Sequence, residues 1–339
     1  YVAGGLGDAL EALDYRDSLY FTGSKATADQ LRRHPAFLER GAHFNAETDS
    51  LNAAILGEGA GEEELLRLAE EIAQELTIKS GQRCTAIRRV LVPEGRLQDL
   101  LEATQARLAP LRLGDPREEG VDLGPLASSA QKEEVEAAVA ALLKAGAQVY
   151  WQHEGRKDGA FFPPTLLLAR DPWKEALHQV EPFGPVATFF PYRTREEALR
   201  LARMGGGMLV ATLATLDLEE ARFFLQGLSG EVGRLHLLNR HDAHTSTGHG
   251  SPLPRLLHGG PGRGGGRGGA WRASFREAAP LPPRPPGGPQ DPPGPPPGVR
   301  QGGGNPRPGP PLPEALRGAR GGGNPHHPPP HRHRGGQHL

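Results

Sequence analysis

Ala53-Ala54-Ile55-Leu56-Gly57, the run Glu62–Thr77 and Arg89-Val90-Leu91-Val92-Pro93 follow one another as strand, helix and strand. The outer pieces are short and almost wholly apolar, the pattern of strands covered on both faces. Between them Leu65, Leu66, Leu68, Ile72 and Leu76 recur at helical spacing, which predicts one apolar side against a charged one. The alternation continues outward. Upstream, a short helix at 7–13 precedes a strand at Ser18-Leu19-Tyr20-Phe21, which ends in Thr22-Gly23-Ser24 and leads into a helix at 25–33. Downstream, 95–109 and 131–143 read as helices, and 147–151, 161–168 and 185–192 as strands. A helix at 196–202, a strand at 208–216, a helix at 218–225 and a last strand at 234–238 complete the series. Strands and helices alternating at these lengths predict an α/β fold with largely parallel sheets.

The net charge of -1 hides two different polymers. From 264 to 339 the 76 residues hold 20 Pro and 19 Gly, with ten Arg, no Lys and three acids. The first 263 hold 29 Lys and Arg against 37 Asp and Glu, an ordinary acidic globular composition. The body is long enough for one or two domains. The tail buries too little apolar surface to offset the entropy of ordering, so it reads as disordered. Its charge of +7 comes without Lys or interleaved aromatics, which argues against a dedicated nucleic-acid or membrane module. No run of about 18 apolar residues reads as a membrane span, and the start shows no signal-peptide pattern. One cysteine rules out an intramolecular disulfide framework, so a reducing cytoplasm is the default compartment.

That cysteine is Cys84, in Ser80-Gly81-Gln82-Arg83-Cys84-Thr85-Ala86. A lone thiol is either an inert buried residue or a nucleophile. Here it follows a Gly-bearing turn directly after a helix and is flanked by Gln, Arg and Thr, the uncrowded, partly polar backbone that a thiolate attacking a carbonyl carbon needs.

Four motifs now fall in one order: Phe21-Thr22-Gly23-Ser24, the acid Glu47, Gly81-Gln82-Arg83-Cys84, and Glu181-Pro182-Phe183-Gly184-Pro185. Over residues 1–263 the chain resembles the NAD(P)-dependent aldehyde dehydrogenase superfamily. It is most similar to the branch containing the PaaZ and BoxD dehydrogenase domains of phenylacetate and benzoyl-CoA degradation. The branch-level strings are Glu47-Thr48-Asp49-Ser50-Leu51-Asn52, Phe162-Pro163-Pro164-Thr165, Ser246-Thr247-Gly248-His249-Gly250-Ser251-Pro252-Leu253-Pro254 and His258-Gly259-Gly260-Pro261-Gly262-Arg263.

The resemblance implies an aldehyde dehydrogenase-like α/β fold, with part of a Rossmann-type cofactor domain and an α/β catalytic domain. Residues 1–57 would be the remainder of the dinucleotide-binding domain and 58–240 the catalytic domain. Residues 241–263 would be a substrate-mouth loop and return segment, and 264–339 the tail. Cys84 would attack the aldehyde to give a thiohemiacetal and then a thioester, with its backbone N–H as one oxyanion donor. Glu47 would be the general base; without the resemblance it is a surface carboxylate. Gly23 and Ser24 would form the turn near the phosphates and nicotinamide of NADP or NAD; otherwise they are a strand-to-helix turn with Ser24 as N-cap. Glu181 and Phe183 would hold the nicotinamide-side ribose; otherwise they belong to a packed Pro-Phe-Gly-Pro turn. The run 246–254 would line the substrate mouth or form a polar surface loop.

The implied substrate is a small aldehyde, a CoA-linked semialdehyde by its branch, and intact relatives form homo-oligomers. No metal site is expected. His249 and His258 read as hydrogen-bonded loop histidines, and the tail histidines, among them His326, His327, His331 and His333, as adventitious ligands at most.

Two departures qualify the resemblance. Similar enzymes begin well upstream, with most of the cofactor domain, an adenosine-side Lys and an Asn oxyanion donor, so this chain is expected to bind dinucleotide poorly and catalyse little. After Arg263 the family carries Glu-Glu-Leu-Gly-Gly-Leu, whereas this chain reads Gly268-Gly269-Ala270-Trp271-Arg272-Ala273-Ser274. Shifting the possible codons by one base is compatible with the family segment, so residues from about 264 onward are expected to be a frameshift product. A genuine disordered tail is the rival reading, and for the whole chain a non-catalytic remnant.

Overall fold

The computed structural model describes residues 7–241, 247–251 and 259–264. The first ordered piece is small. A 3-10 turn, Gly7–Ala12, stands where a helix is expected and leads into β1 (Ser18–Thr22). Two short helices follow, α1 (Lys25–Arg32) and α2 (Pro35–Leu38), before β2 (His43–Glu47), which pairs in parallel with β1. Ser24 starts α1 by accepting the Thr27 N–H at 3.2 Å. Pro35 opens α2, and His34 Nδ1 accepts the Ala36 N–H at 3.2 Å. Ala28, Phe44 and Ala46 are buried between these elements. Strand β2 was invisible in the sequence, because Phe44 and Ala46 alone face the core in a five-residue strand.

The rest is built on a seven-stranded sheet of order β5-β6-β7-β4-β3-β8-β9. Its strands are β3 (Ala53–Leu56), β4 (Arg89–Pro93), β5 (Ala147–Gln152), β6 (Thr165–Ala169), β7 (Val186–Tyr192), β8 (Met208–Ala214) and β9 (Val232–Leu238). Every neighbour pair is parallel except β5 with β6. Strand β6 begins at Thr165, later than the apolar run at 161–168 implies, because Pro163 and Pro164 have no N–H for a ladder.

Side chains alternate between two cores. Ala54, Leu56, Val90, Val92, Leu166 and Phe189 face α3 (Glu62–Thr77) and α4 (Leu97–Leu108). Ala53, Ile55, Leu91, Leu167, Phe190 and Leu213 face α5 (Ser129–Lys144), α6 (Arg195–Arg203) and α7 (Leu218–Leu228). Coverage on both faces is why the strands read as continuous apolar runs. The fold is α/β with a parallel-rich sheet, as expected. Strand β3, expected to belong with residues 1–57, is hydrogen-bonded inside the large sheet, between β4 and β8.

Helix α3 is anchored at its start. Gly61 N–H donates to Glu64 Oε2 at 3.1 Å. Arg240, just past β9, donates to Glu64 from Nη2 at 2.7 Å and from Nε at 2.9 Å. These bonds hold the Glu64 carboxyl down at about 2. The segment 259–264 returns to the body: Arg263 N–H donates to Gly206 O at 2.8 Å, and Thr48 Oγ1 to Arg263 O at 2.5 Å. Of the expected disordered and frameshifted tail, all but Gly264 lies outside the described residues, as do His258 and the tail histidines. Among the described residues no helix is long and apolar enough to cross a membrane, and no cluster of three His, Cys, Asp or Glu side chains has metal-binding geometry.

Candidate active site

Helix α3 ends at Thr77, and the chain reverses through Lys79 (φ 51), Ser80 (φ 54) and Gly81 (φ 70), three consecutive left-handed residues. For Lys and Ser that conformation costs about 1–2 kcal/mol each. Ser80 recovers part of this through a buried hydroxyl donating to Gly124 O at 2.8 Å. Gly81 is required twice over, because a Cβ there would stand 2.3 Å from the Gly184 carbonyl oxygen. This tight turn carries Cys84 to the amino ends of β3, β4, β7 and β8, where side chains from separate segments of the chain meet.

Buried side chains grip the backbone around Cys84. Asn52 Nδ2 donates to Cys84 O at 2.7 Å and to Ala86 O at 3.1 Å. Its Oδ1 accepts from Ser50 Oγ at 2.6 Å and from Val210 N–H at 3.1 Å, while Ser50 Oγ accepts Leu209 N–H at 2.9 Å. Ser50 and Asn52 thus supply β8 with acceptors just before β3 begins. Arg88, fully buried, donates to Gly81 O at 2.8 Å, Arg83 O at 3.2 Å and Gly184 O at 2.8 Å. Burial lowers its pKa, and the Glu181 carboxylate at 3.3 Å opposes that shift.

Cys84 Sγ donates to Glu47 Oε1 at 2.6 Å. Glu47 is the last residue of β2, so a contact between residues 37 apart depends on the small β1–β2 sheet standing against the large one. Burial, then the Glu47 hydrogen bond and charge, push the thiol up to about 12. The resting state is therefore a protonated thiol beside a carboxylate.

The other expected residues are placed as follows. Gly23 N–H donates to Glu47 O at 3.2 Å, and a Cβ on Gly23 would meet the Phe21 ring at 2.6 Å. Ser24 caps α1, and Lys25 N–H donates to Asp49 Oδ1 at 3.3 Å, so the amides opening that helix are served by the protein's own side chains. Glu181 accepts Ser50 N–H at 2.9 Å and the Arg88 Nε–H at 3.3 Å, and burial raises its pKa. Phe183 is half-buried with the Arg88 guanidinium over its ring, 5.3 Å from the centroid. His249 lies in a turn and is hydrogen-bonded, as expected, and it is 1% exposed, so this part of the run at 246–254 faces inward. Ser246, Pro252, Leu253 and Pro254 lie outside the described residues.

The sequence model of the aldehyde dehydrogenase family matches residues 3–250. This chain belongs to the aldehyde dehydrogenase family. It is similar to the 3,4-dehydroadipyl-CoA semialdehyde dehydrogenase of Aromatoleum evansii, with 38% identity over 273 residues, 77% of this chain and 52% of that one. Among solved structures it resembles an oxidoreductase from Marinobacter aquaeolei, with a TM-score of 0.66 and 24% identity over 78% of this chain and 52% of that one. A second is the glyceraldehyde-3-phosphate dehydrogenase of Methanocaldococcus jannaschii complexed with NADP, with a TM-score of 0.63 and 22% identity over 76% and 52%. At those identities the structural likeness speaks for the fold. The chain spans about half the length of the curated relatives it matches.

Within an aldehyde dehydrogenase fold, Asn52 and Arg88 are the site residues that reading by motif passed over. Both were visible as polar residues beside apolar strands, Asn52 before Ala53-Ala54-Ile55-Leu56 and Arg88 before Val90-Leu91-Val92. Their partners were not visible.

Proposed function

We propose that this chain carries the nucleophile-bearing part of an NAD(P)-dependent dehydrogenase that oxidises an aldehyde to the carboxylic acid. In the intact enzyme the substrate is a CoA-linked semialdehyde from aromatic-compound breakdown, a reading supported by the similarity to the Aromatoleum evansii enzyme. The observation that carries it is the 2.6 Å contact between the single thiol and the Glu47 carboxylate.

Chemistry follows from that contact. Glu47 takes the Sγ proton as sulfur attacks the aldehyde carbon, forming a C–S bond and a thiohemiacetal. The Cys84 N–H would donate to the oxygen that becomes negative. A nicotinamide cofactor, NADP or NAD, would supply the hydride acceptor when bound, and Cys84 would then carry the acyl group as a thioester. Glu47 gives the Sγ proton up to solvent and then takes one from the attacking water; as the C–S bond breaks it returns that proton to sulfur, and the acid leaves with the thiol restored.

The residues present fit such a cofactor unevenly. Glu181 keeps acceptor capacity beyond its two bonds, and Phe183 is only half-buried, so both suit a ribose. Gly23 and Ser24 offer a turn without a projecting side chain, and their polar groups serve β2 and α1. Intact mass measurement of the full chain after mixing with a medium-chain aldehyde and NADP tests the reading. An acyl adduct on Cys84, absent from Cys84→Ser and accumulating in Glu47→Gln, is expected. A folded chain that reduces NADP equally well as Cys84→Ser, or takes no adduct, overturns it and favours a non-catalytic domain.

A further inference from the structure

The buried network behind Cys84 contains a histidine that the reaction above does not use. His249 Nε2 lies 2.8 Å from the Thr85 carbonyl oxygen, and its Nδ1 lies 2.7 Å from Thr212 Oγ1. A carbonyl cannot donate, so Nε2 carries the proton and Nδ1 accepts the Thr212 hydroxyl. Thr212 Oγ1 is also 3.1 Å from His236 Nδ1, which therefore donates to it. One directed chain results, from His236 through Thr212 and His249 to Thr85, the residue after the thiol.

The residue before the thiol is held by the same segment. Arg83 donates to Gly250 O and, from Nη1, to Glu75 Oε1 at 3.2 Å. A Cβ on Gly250 would fall within 2.7 Å of both the Arg83 guanidinium and the Glu75 carboxylate, so the fit leaves no space. The strap 249–251 is itself anchored. His249 N–H donates to Glu71 Oε1, and Arg234 donates to the carbonyls of His249 and Ser251. Charged and titratable groups thus face His249 from α3 (Glu71) and β9 (Arg234, His236). Glu47 and Arg83 are the groups that face Cys84.

Together with Arg88 on Arg83 O and Asn52 on Cys84 O and Ala86 O, His249 completes a set in which four successive carbonyls, residues 83–86, each meet a buried side-chain donor. Peptide planes fixed at four consecutive positions fix the direction of the Cys84 Cα–Cβ bond, from which Sγ reaches Glu47, and of the N–H groups between them.

The geometry points to His249 as a positioning residue for Cys84: aligned by Thr212 and Glu71, it clamps the carbonyl of Thr85 and so sets where the thiol sits against Glu47. This rests on Cys84 being the nucleophile. Burial holds the His249 imidazole at about 3, so the clamp stays neutral across the working pH range.

The chain has one cysteine, so alkylation by iodoacetamide followed by intact mass reads Cys84 alone. Released from the clamp, the thiol moves away from Glu47 and its pKa falls toward that of a free thiol. His249→Phe fills the space without a donor and is expected to alkylate about tenfold faster or more near pH 8, with its pH profile displaced downward. His249→Gln, whose amide reaches Thr85 O, stays within about threefold of the parent. Thr212→Val shifts in the same direction as His249→Phe by a smaller factor.

Equal profiles for the parent and a folded His249→Phe, or equal shifts in the Phe and Gln variants, overturn the clamp. Should His249→Phe fail to fold, an unchanged Thr212→Val profile does the same. The two readings separate cleanly. Absent acylation of the parent with the alkylation contrast intact removes the catalytic reading and leaves the clamp, and acylation without the contrast does the reverse.

Discussion

Replacing Glu47 with Gln tests how the site keeps its thiol. Cys84 stands at about 12 against 9.0 for an ordinary thiol, raised first by burial and then by Glu47. Near pH 8 about one native molecule in ten thousand carries the thiolate, against about one in ten for an exposed thiol. Native alkylation should therefore run about a thousandfold slower than alkylation in denaturant. The Coulomb energy between unit charges about 4 Å apart is about 1 kcal/mol in water and about 4 kcal/mol at an effective dielectric of 20. Cys84 is half-buried, so removing the carboxylate charge should speed alkylation by about 10- to 100-fold. Burial remains, so the rate should stay below that of the denatured chain. The backbone pairing of β2 with β1 does not use the Glu47 side chain, and circular dichroism of the variant checks that the fold survives. The assay is the pH dependence of iodoacetamide labelling read by intact mass. A Glu47→Gln profile that superimposes on the parent, or moves upward in pH, would refute the coupling of thiol and carboxylate.

Two further outcomes concern stability. Arg88→Met leaves the buried Glu181 carboxylate without its cation and the carbonyls of Gly81 and Gly184 without donors. A loss of about 3–5 kcal/mol is expected in denaturant titration, and the double variant Arg88→Met with Glu181→Met should recover much of it. Glu64 stands at about 2 in the fold against 4.5 ordinarily, because Arg240 is bound to it. A lowered carboxyl contributes stability that is full above its unfolded value and lost as pH falls toward the folded one. Thermal melts between pH 5 and 2 should therefore fall less steeply in Glu64→Gln, which gives up about 1–2 kcal/mol at neutral pH.

The site was legible in proportion to how local its signals are. Cys84 and Glu181 sit in short strings whose residue order alone singled them out, and Glu47 stood in the Glu47-Thr48-Asp49-Ser50-Leu51-Asn52 string. The structure places Glu47 at the end of a strand that its own five residues do not announce, since only Phe44 and Ala46 pack inward. His249 looked like part of a polar loop because its neighbours are Thr, Gly and Ser; it is buried because Glu71, Thr212, Arg234 and Thr85 all meet it. Those partners lie between 15 and 178 residues away in the chain.

By itself the sequence determined the architecture, because continuous apolar runs set between helical repeats mark strands covered on both faces: Ala53 and Ile55 face one core, and Ala54 and Leu56 the other. It also determined which residue is the thiol and which turn carries it. Only the tertiary structure decided the thiol's state. A protonated Cys84 held against Glu47, with four carbonyls around it gripped by Arg88, Asn52 and His249, depends on burial and on hydrogen bonds between segments remote in sequence. Desolvation and directional bonding act through space, and no local pattern of residue types encodes them.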